Sequence, residues 1–329
     1  MRVVAAPDKF RGTASAAQVA AAIGRAARAA GWECDEVPMA DGGEGTLDAL
    51  GGPNRTTLVT DPLGDPVEAA WRLHRGTAVI ESALASGIAL LGGPDGNDPI
   101  SASTYGTGEL IAQAIELGAR RVIVAVGGSA TTDGGLGALR AIHPVQRLRG
   151  IDIQVATDVR TRFIDAAEDF APQKGATPAQ VELLRRRLTR LAQVYEEDHG
   201  VDVRAIVGGG AAGGLAGGLA AVGAAIVPGF DLVADELGLD EQLEGADLVI
   251  TGEGFLDAQS FEGKVVGGVA ELAADLGVPV LAVAGAVYDG VEDRIPSISL
   301  TARVGAERSR ADVERLVEEV VAGHLATIG

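Results

Sequence analysis

The stretch Val3-Val4-Ala5-Ala6-Pro7-Asp8-Lys9-Phe10-Arg11-Gly12-Thr13 decides how the chain begins to fold. Its four small apolar residues at 3–6 read as a buried strand, which Pro7 ends. Ala16, Val19, Ala20, Ile23 and Ala27 then recur at helical spacing, predicting a helix over 13–30 with Gly31 as its stop. A second strand is expected at 33–38. Strand, helix and strand in this order make a βαβ unit, and such a unit implies a parallel sheet. Ligands of open parallel sheets bind beyond the carboxyl ends of the strands, which places Asp8 and Lys9 on the functional edge.

Outward from this unit the pattern changes and then returns. Short strands at 56–60, 67–73 and 77–81 are separated by Asp61-Pro62-Leu63-Gly64-Asp65-Pro66 and by a turn at Gly76, so they read as a meander. Alternation resumes with a helix at 106–117, a strand at 121–126, a helix at 134–142 and a strand at 151–156. A charged helix over 177–198 follows, apolar at Val181, Leu184, Leu188, Leu191 and Tyr195. Further buried strands are expected at 247–251, 279–284 and 297–301. The 329 residues exceed what one core usually serves. The expected fold is α/β and two-domain, a Rossmann-like parallel sheet with an inserted second α/β domain. Residues 1–52, 102–158 and 245–329 are assigned to the first domain, and 53–101 with 159–244 to the second.

Charge and composition narrow the partners. The net charge of −19 leaves no basic stripe for nucleic acid or an anionic membrane. One cysteine, Cys34, excludes an internal disulfide and a cysteine zinc site. The chain enters a strand directly after Met-Arg with no leader pattern, so the cytoplasm is the expected location. No apolar run reaches the ~18–20 residues that span a bilayer, and 208–227, the nearest, is mostly glycine and alanine. A small-molecule substrate is the expected partner, and a homodimer is allowed.

Of 27 lysines and arginines, only Lys9, Lys174 and Lys264 are lysines, each in a motif-like segment. A compact ammonium is a usual partner for phosphate. Polar loops follow predicted strands at five places: Asp8-Lys9; Ala40-Asp41-Gly42-Gly43-Glu44; Gly127-Gly128-Ser129-Ala130-Thr131-Thr132-Asp133-Gly134-Gly135; Asp158; and Gly252-Glu253-Gly254 with Asp257. Together they suit phosphoryl transfer, which needs N–H groups and cations at phosphates, carboxylates for magnesium and a base for the acceptor hydroxyl. Gly127, Gly128, Ser129, Thr131, Thr132 and Asp133 form a candidate phosphate cradle, to which Gly252, Glu253 and Lys264 are added for the nucleotide. Asp41 and Glu44, about one helical turn apart, are expected to hold Mg²⁺ directly or through water. Lys9 is the expected electrostatic catalyst, and the base is Asp158 or its rival Asp257. Asp8, Ser103, Thr104, Thr107 and Lys174 are assigned to the substrate; Ser103 to Thr107 lie at a hydroxyl-rich helix start suited to an anion. The run Gly208 to Gly214 only loosely matches a dinucleotide fingerprint, and close helix packing explains it equally.

These segments together resemble the bacterial glycerate kinase type I family. The resemblance rests on 5–12, Pro-Met-Ala-Asp-Gly-Gly-Glu-Gly-Thr at 38–46, Ser-Thr-Tyr-Gly-Thr-Gly-Glu-Leu-Ile at 103–111, the glycine-bounded run at 127–135, Pro-Gln-Lys-Gly-Ala-Thr at 172–177 and Ile-Thr-Gly-Glu-Gly-Phe-Leu-Asp-Ala-Gln-Ser at 250–260. It covers nearly the whole chain in family order. It implies ATP-dependent phosphorylation of D-glycerate, usually to 2-phosphoglycerate, with Mg²⁺ as cofactor. Departures are Thr132 where the family commonly has Asn, Phe255 where it has Arg, Asn97-Asp98-Pro99 for an Arg-Asn-Pro stretch, and a shortened segment over 143–170. Arg160 or Arg162 could replace the missing cations. Alternatives are a kinase for another small hydroxy acid and a non-catalytic nucleotide- or metabolite-binding regulator of the same fold. ADP formation that depends on glycerate separates the regulator from the kinases.

Overall fold

The computed structural model describes residues 1–288, 290–291 and 293–328. Its strands in chain order are β1 (Arg2–Ala5), β2 (Glu33–Glu36), β3 (Arg55–Thr60), β4 (Pro66–His74), β5 (Thr77–Glu81), β6 (Arg121–Ala125), β7 (Asp152–Thr157), β8 (Ala225–Pro228), β9 (Leu248–Leu256), β10 (Val280–Val287) and β11 (Ser297–Ser299). They build two sheets in two compact units, Met1–Asp41 with Gly229–Gly329, and Gly42–Pro228. The second unit is inserted in the chain of the first. The fold is therefore the expected α/β, two-domain one.

In the first unit all strand pairs are parallel, in the order β11-β10-β9-β1-β2. A parallel sheet needs cover on both faces, which is why its strands are near-continuous apolar runs. Strand β10 shows this directly. Leu281 and Val283 join Val3, Ala5 and Ile250 in a core shared with the helices Ala16–Ala29 and Val313–Ile328. Their neighbours Ala282 and Ala284 enter a second core with Val266, from the helix Val265–Leu276. The first helix starts at 16 rather than 13 because Ser15 and Gln18 form a reciprocal capping box, while the Thr13 hydroxyl donates to the Phe10 carbonyl in the preceding turn. Strand order reverses direction between β1 and β9, so the carboxyl ends of these two strands flank the switch point.

The inserted unit has one mixed sheet, β3-β4-β5-β6-β7-β8. The first three strands are antiparallel, as their short turns require, and β5 to β8 are parallel. Ile80, Val122, Val124, Ile153 and Val155 form one core with Leu110 and Ile111, and with Leu184 and Leu188 of the helix Pro178–His199.

This sheet corrects the expected boundaries. Residues 102–158 were assigned to the sheet containing both chain ends, but β6 and β7 pair with β5 and β8. Residues 42–52 likewise belong to the inserted unit, and 229–244 to the first. The βαβ pattern reveals that strands are parallel; it does not reveal which of two parallel sheets they join. Among the described residues no helix is long and apolar enough to cross a membrane.

Candidate active site

In the first unit the chain beyond β1 remains tied to β9. Ala6 N–H donates to the Ile250 carbonyl (2.9 Å), Asp8 N–H to the Gly252 carbonyl (2.8 Å), and the Thr251 hydroxyl to the Ala6 carbonyl (2.9 Å). This lacing buries Asp8, which is 9% exposed, beside the carboxyl end of β9. Burial pushes the Asp8 carboxyl up to about 7; the nearby Asp41 charge adds to the rise, while Lys9 and Lys264 oppose it. The Lys9 N–H donates to Asp8 Oδ1 at 2.7 Å. Glu253 is raised to about 7 by burial and then by the charges of Asp8 and Asp257, against a Ser260 hydrogen bond and Lys264. Its Oε1 is buried without a hydrogen-bond partner. Asp8, Lys9, Asp41, Glu253 and Lys264 thus form one charged neighbourhood in which two carboxyls titrate near neutrality, the condition for moving a proton at physiological pH.

The expected loop at 252–254 is strand instead. Strand β9 runs on to Leu256 and pairs Gly252 with Val283, Glu253 with Ala284 and Phe255 with Ala286. A Cβ on Gly252 would lie 2.0 Å from the Val283 carbonyl oxygen, so this glycine serves strand packing. Asp257 caps the short turn Ala258–Phe261, its Oδ1 accepting from Gln259 N–H (2.8 Å) and Ser260 N–H (3.2 Å). Lys264, half-buried, is the N-cap residue of the helix Val265–Leu276.

Magnesium is commonly held by one or two carboxylates together with substrate phosphates. Asp41, half-buried and close enough to Asp8 for its charge to raise that carboxyl, offers one such carboxylate. Among the described residues no group of three or more His, Cys, Asp or Glu makes an all-protein metal cage. The segment leading to Glu44 is a turn rather than a helical one, because Gly42 and Gly45 are left-handed (φ 87° and 94°). Asp41 closes the first unit and is half-buried, while Glu44, in the inserted unit, is exposed.

In the inserted unit, Thr131, Thr104 and Thr107 are fully buried, and Thr132 and Lys174 nearly so. Lys174 Nζ donates to Ser129 Oγ (2.7 Å) and the Thr131 carbonyl (2.6 Å), and burial pushes its ammonium down to about 7 against the pull of Asp133. Asp133 Oδ2 accepts from the Thr104 N–H and hydroxyl (both 2.9 Å) and from Gly137 N–H (3.1 Å); its Oδ1 accepts from Gly135 N–H (3.0 Å). One carboxylate thereby joins the starts of the helices Tyr105–Glu116 and Leu136–Ile142. Thr107 shares a hydrogen bond with Ser86 (2.7 Å), and Ser103 Oγ accepts from Tyr105 N–H (3.2 Å). The hydroxyls of Thr131 and Thr132 have no partner. Gly127 is half-buried and Gly128, exposed, has φ +56°. The glycine run at 208–214 packs against this loop, since a Cβ on Gly213 would lie 1.9 Å from the Thr131 carbonyl oxygen. Asp158 is half-buried directly after β7.

Sequence reasoning passed over Glu81. This carboxylate is 6% exposed at the end of β5 and accepts from Gly45 N–H (2.8 Å) and Leu47 N–H (2.7 Å), fixing the turn that carries Glu44. A charge closing the apolar run Thr77-Ala78-Val79-Ile80 was the available signal.

The sequence profile of the glycerate kinase family matches residues 3–145 and 143–325. The chain belongs to the glycerate kinase family. Its relatives include the glycerate kinase of Halalkalibacterium halodurans, 39% identical over 88% of this chain and 87% of that one. The glycerate 2-kinase of Escherichia coli K12 is 38% identical over the same shares, 88% and 87%. The crystal structure of a Salmonella typhimurium LT2 protein assigned as glycerate kinase 2 superposes with a TM-score of 0.82 at 34% identity, covering 100% of this chain and 99% of that one. Membership makes the protein an enzyme, a phosphotransferase with an alcohol group as acceptor.

Proposed function

We propose that this enzyme transfers the terminal phosphoryl group of ATP to D-glycerate, giving 2-phosphoglycerate. The single observation that carries the chemistry is the clustering of buried Asp8 and half-buried Glu253, whose buried Oε1 has no hydrogen-bond partner, beside Lys9 and Lys264, with both carboxyls raised to about 7. A glycerate hydroxyl is a weak nucleophile. A carboxylate of ordinary acidity is a poor base for it, and one raised toward neutrality is a better one. Asp8 fills this role better than Asp257, whose Oδ1 is engaged in capping. In the inserted unit Asp158 is the remaining candidate. Lys9 and Lys264 offset phosphate charge as point cations. Asp41 would hold Mg²⁺ with the nucleotide phosphates, with Glu44 as the inserted unit's candidate, and would thereby supply neutralisation of phosphate charge. Support for the 2-hydroxyl comes from the E. coli relative, which is named a glycerate 2-kinase.

The test is ADP release in the presence of ATP, Mg²⁺ and D-glycerate or a panel of short hydroxy acids, with ³¹P NMR of the product. Glycerate-dependent ADP and a 2-phosphate resonance are expected. ADP release that ignores glycerate, or a 3-phosphate product, overturns the proposal.

A further inference from the structure

A cavity of about 410 Å³ lies beside the carboxyl ends of β1, β9 and β10, at the point where the strand order of the first unit reverses. Aromatic residues make up only 3% of the chain, and only Tyr105, Phe255 and Tyr288 are exposed among those described. Two of these three line this one cavity. Phe255 is 44% and Tyr288 52% exposed, and their ring centroids are 6.2 Å apart at an interplanar angle of 38°. Backbone pairing holds both: Phe255 stands opposite Ala286 in the β9–β10 ladder, and Tyr288 N–H donates to the Leu256 carbonyl (3.0 Å). Between them the floor is kept bare. A Cβ on Gly285 would lie 2.5 Å from the Gly254 carbonyl oxygen, so no side chain can grow there.

The far wall carries two hydroxyls. Ser309 Oγ is placed to donate to the Ala306 carbonyl (3.0 Å) and lies 2.9 Å from Thr301 Oγ1, where either hydroxyl can be the donor. In either direction Thr301 Oγ1 keeps a lone pair that can accept from a ligand N–H. Arg11 and Arg310, both exposed, add positive charge to the lining of a chain whose net charge is −19.

We propose that this cavity takes the nucleobase of the phosphoryl donor, stacked on Phe255 and Tyr288, with an exocyclic amino group directed at Thr301. The inference rests on the kinase reading above and adds the place and chemistry of base recognition. Of the two ligands such a reaction needs, a small hydroxy acid has no flat apolar face to offer an aromatic pair, whereas a nucleotide has one. The acceptor at Thr301 selects for a base bearing an amino group at its edge.

Calorimetric titration of adenosine, inosine and the non-hydrolysable donor AMP-PNP tests this without turnover. Phe255→Ala and Tyr288→Ala are each expected to weaken adenosine and AMP-PNP at least about tenfold, the scale of losing one stacking platform. Phe255→Trp retains the platform and should bind within about threefold of the unaltered protein. KM for ATP should rise in the alanine variants while KM for glycerate stays put. Thr301→Val should erase a preference for adenosine over inosine; an unchanged preference overturns the edge contact. If both alanine variants bind AMP-PNP like the unaltered protein while glycerate-dependent ADP is still formed, the base site is wrong and the kinase reading stands. If the unaltered protein binds no nucleotide and forms no ADP, both fall.

Discussion

The carboxyl edge of the first sheet and that of the inserted sheet look alike in sequence and differ in physical state. Both carry aspartate, a lysine and glycines after an apolar strand. Around Asp133 and Lys174 the charged groups are met, although the neighbouring Thr131 and Thr132 hydroxyls are not: four hydrogen bonds converge on one carboxylate, and the lysine ammonium is fixed by two oxygens of the 127–135 loop. Around Asp8 and Glu253 like charges repel, and one buried oxygen, Glu253 Oε1, lacks a hydrogen-bond partner. A buried polar group with complete hydrogen bonding contributes to stability. One held with an unmet demand is costly to the fold and available to chemistry.

The difference predicts opposite signatures for two aspartate-to-asparagine changes. Asp8→Asn should lower kcat by about 10²–10⁴-fold, the range for losing a general base, while Tm holds or rises because a buried, repelled charge has gone. Single-turnover rates and calorimetric melting read both, and a variant with near-normal turnover would remove Asp8 from the mechanism. Lys9→Ala should cost more than about 100-fold in kcat/KM, as for a lost electrostatic stabiliser of the transition state. Wild-type kinetics in a folded Lys9→Ala protein would leave that neighbourhood without its cation role.

Asp133→Asn inverts the pattern. An amide cannot accept all four hydrogen bonds, so a donor at a helix start is left unmet, at a cost of about 1–3 kcal/mol. Urea unfolding should show that loss, with kcat at low temperature within a few-fold of normal. A stable Asp133→Asn protein with kcat reduced a hundredfold would return Asp133 to the phosphate cradle and erase the contrast between the two edges.

How legible this was depends on which physical signal each feature leaves. The βαβ opening, the meander and the long helix Pro178–His199 were readable because burial imposes a period on apolar residues. Sheet membership of 102–158 was not, since strand pairing leaves no local mark on Val122 or Val155. The continuation of β9 through Gly252 and Gly254 was hidden because glycines that accommodate a neighbouring strand look the same in sequence as glycines that approach a phosphate. Lysine scarcity drew attention to three positions, yet it could not distinguish half-buried Lys9 and Lys264 from Lys174, whose ammonium is held inside a loop. Glu81 shows the converse, a carboxylate whose two backbone partners lie 36 and 34 residues away in the chain.

The smallest effect gives the sharpest reading of Lys174. Sequence alone assigned it to the substrate; its ammonium is buried and bonded to Ser129 and the Thr131 carbonyl. In the folded protein burial holds its ammonium at about 7, against 10.5 for the free side chain, with Asp133 opposing the fall. Between these two values the unfolded chain keeps the proton and the folded one releases it. Raising the pH removes protons from the unfolded state, so the contribution of Lys174 to stability must increase from pH 7 toward 10.5 and be least favourable below 7. Lys174→Met, similar in length and without the titrating group, has no such term. Subtracting its melting temperature from that of the unaltered protein cancels the other titrating groups and should leave a difference that grows in favour of lysine across this window. A difference that stays flat from pH 7 to 10, joined to a raised KM for glycerate in Lys174→Met, would show that the ammonium faces substrate after all.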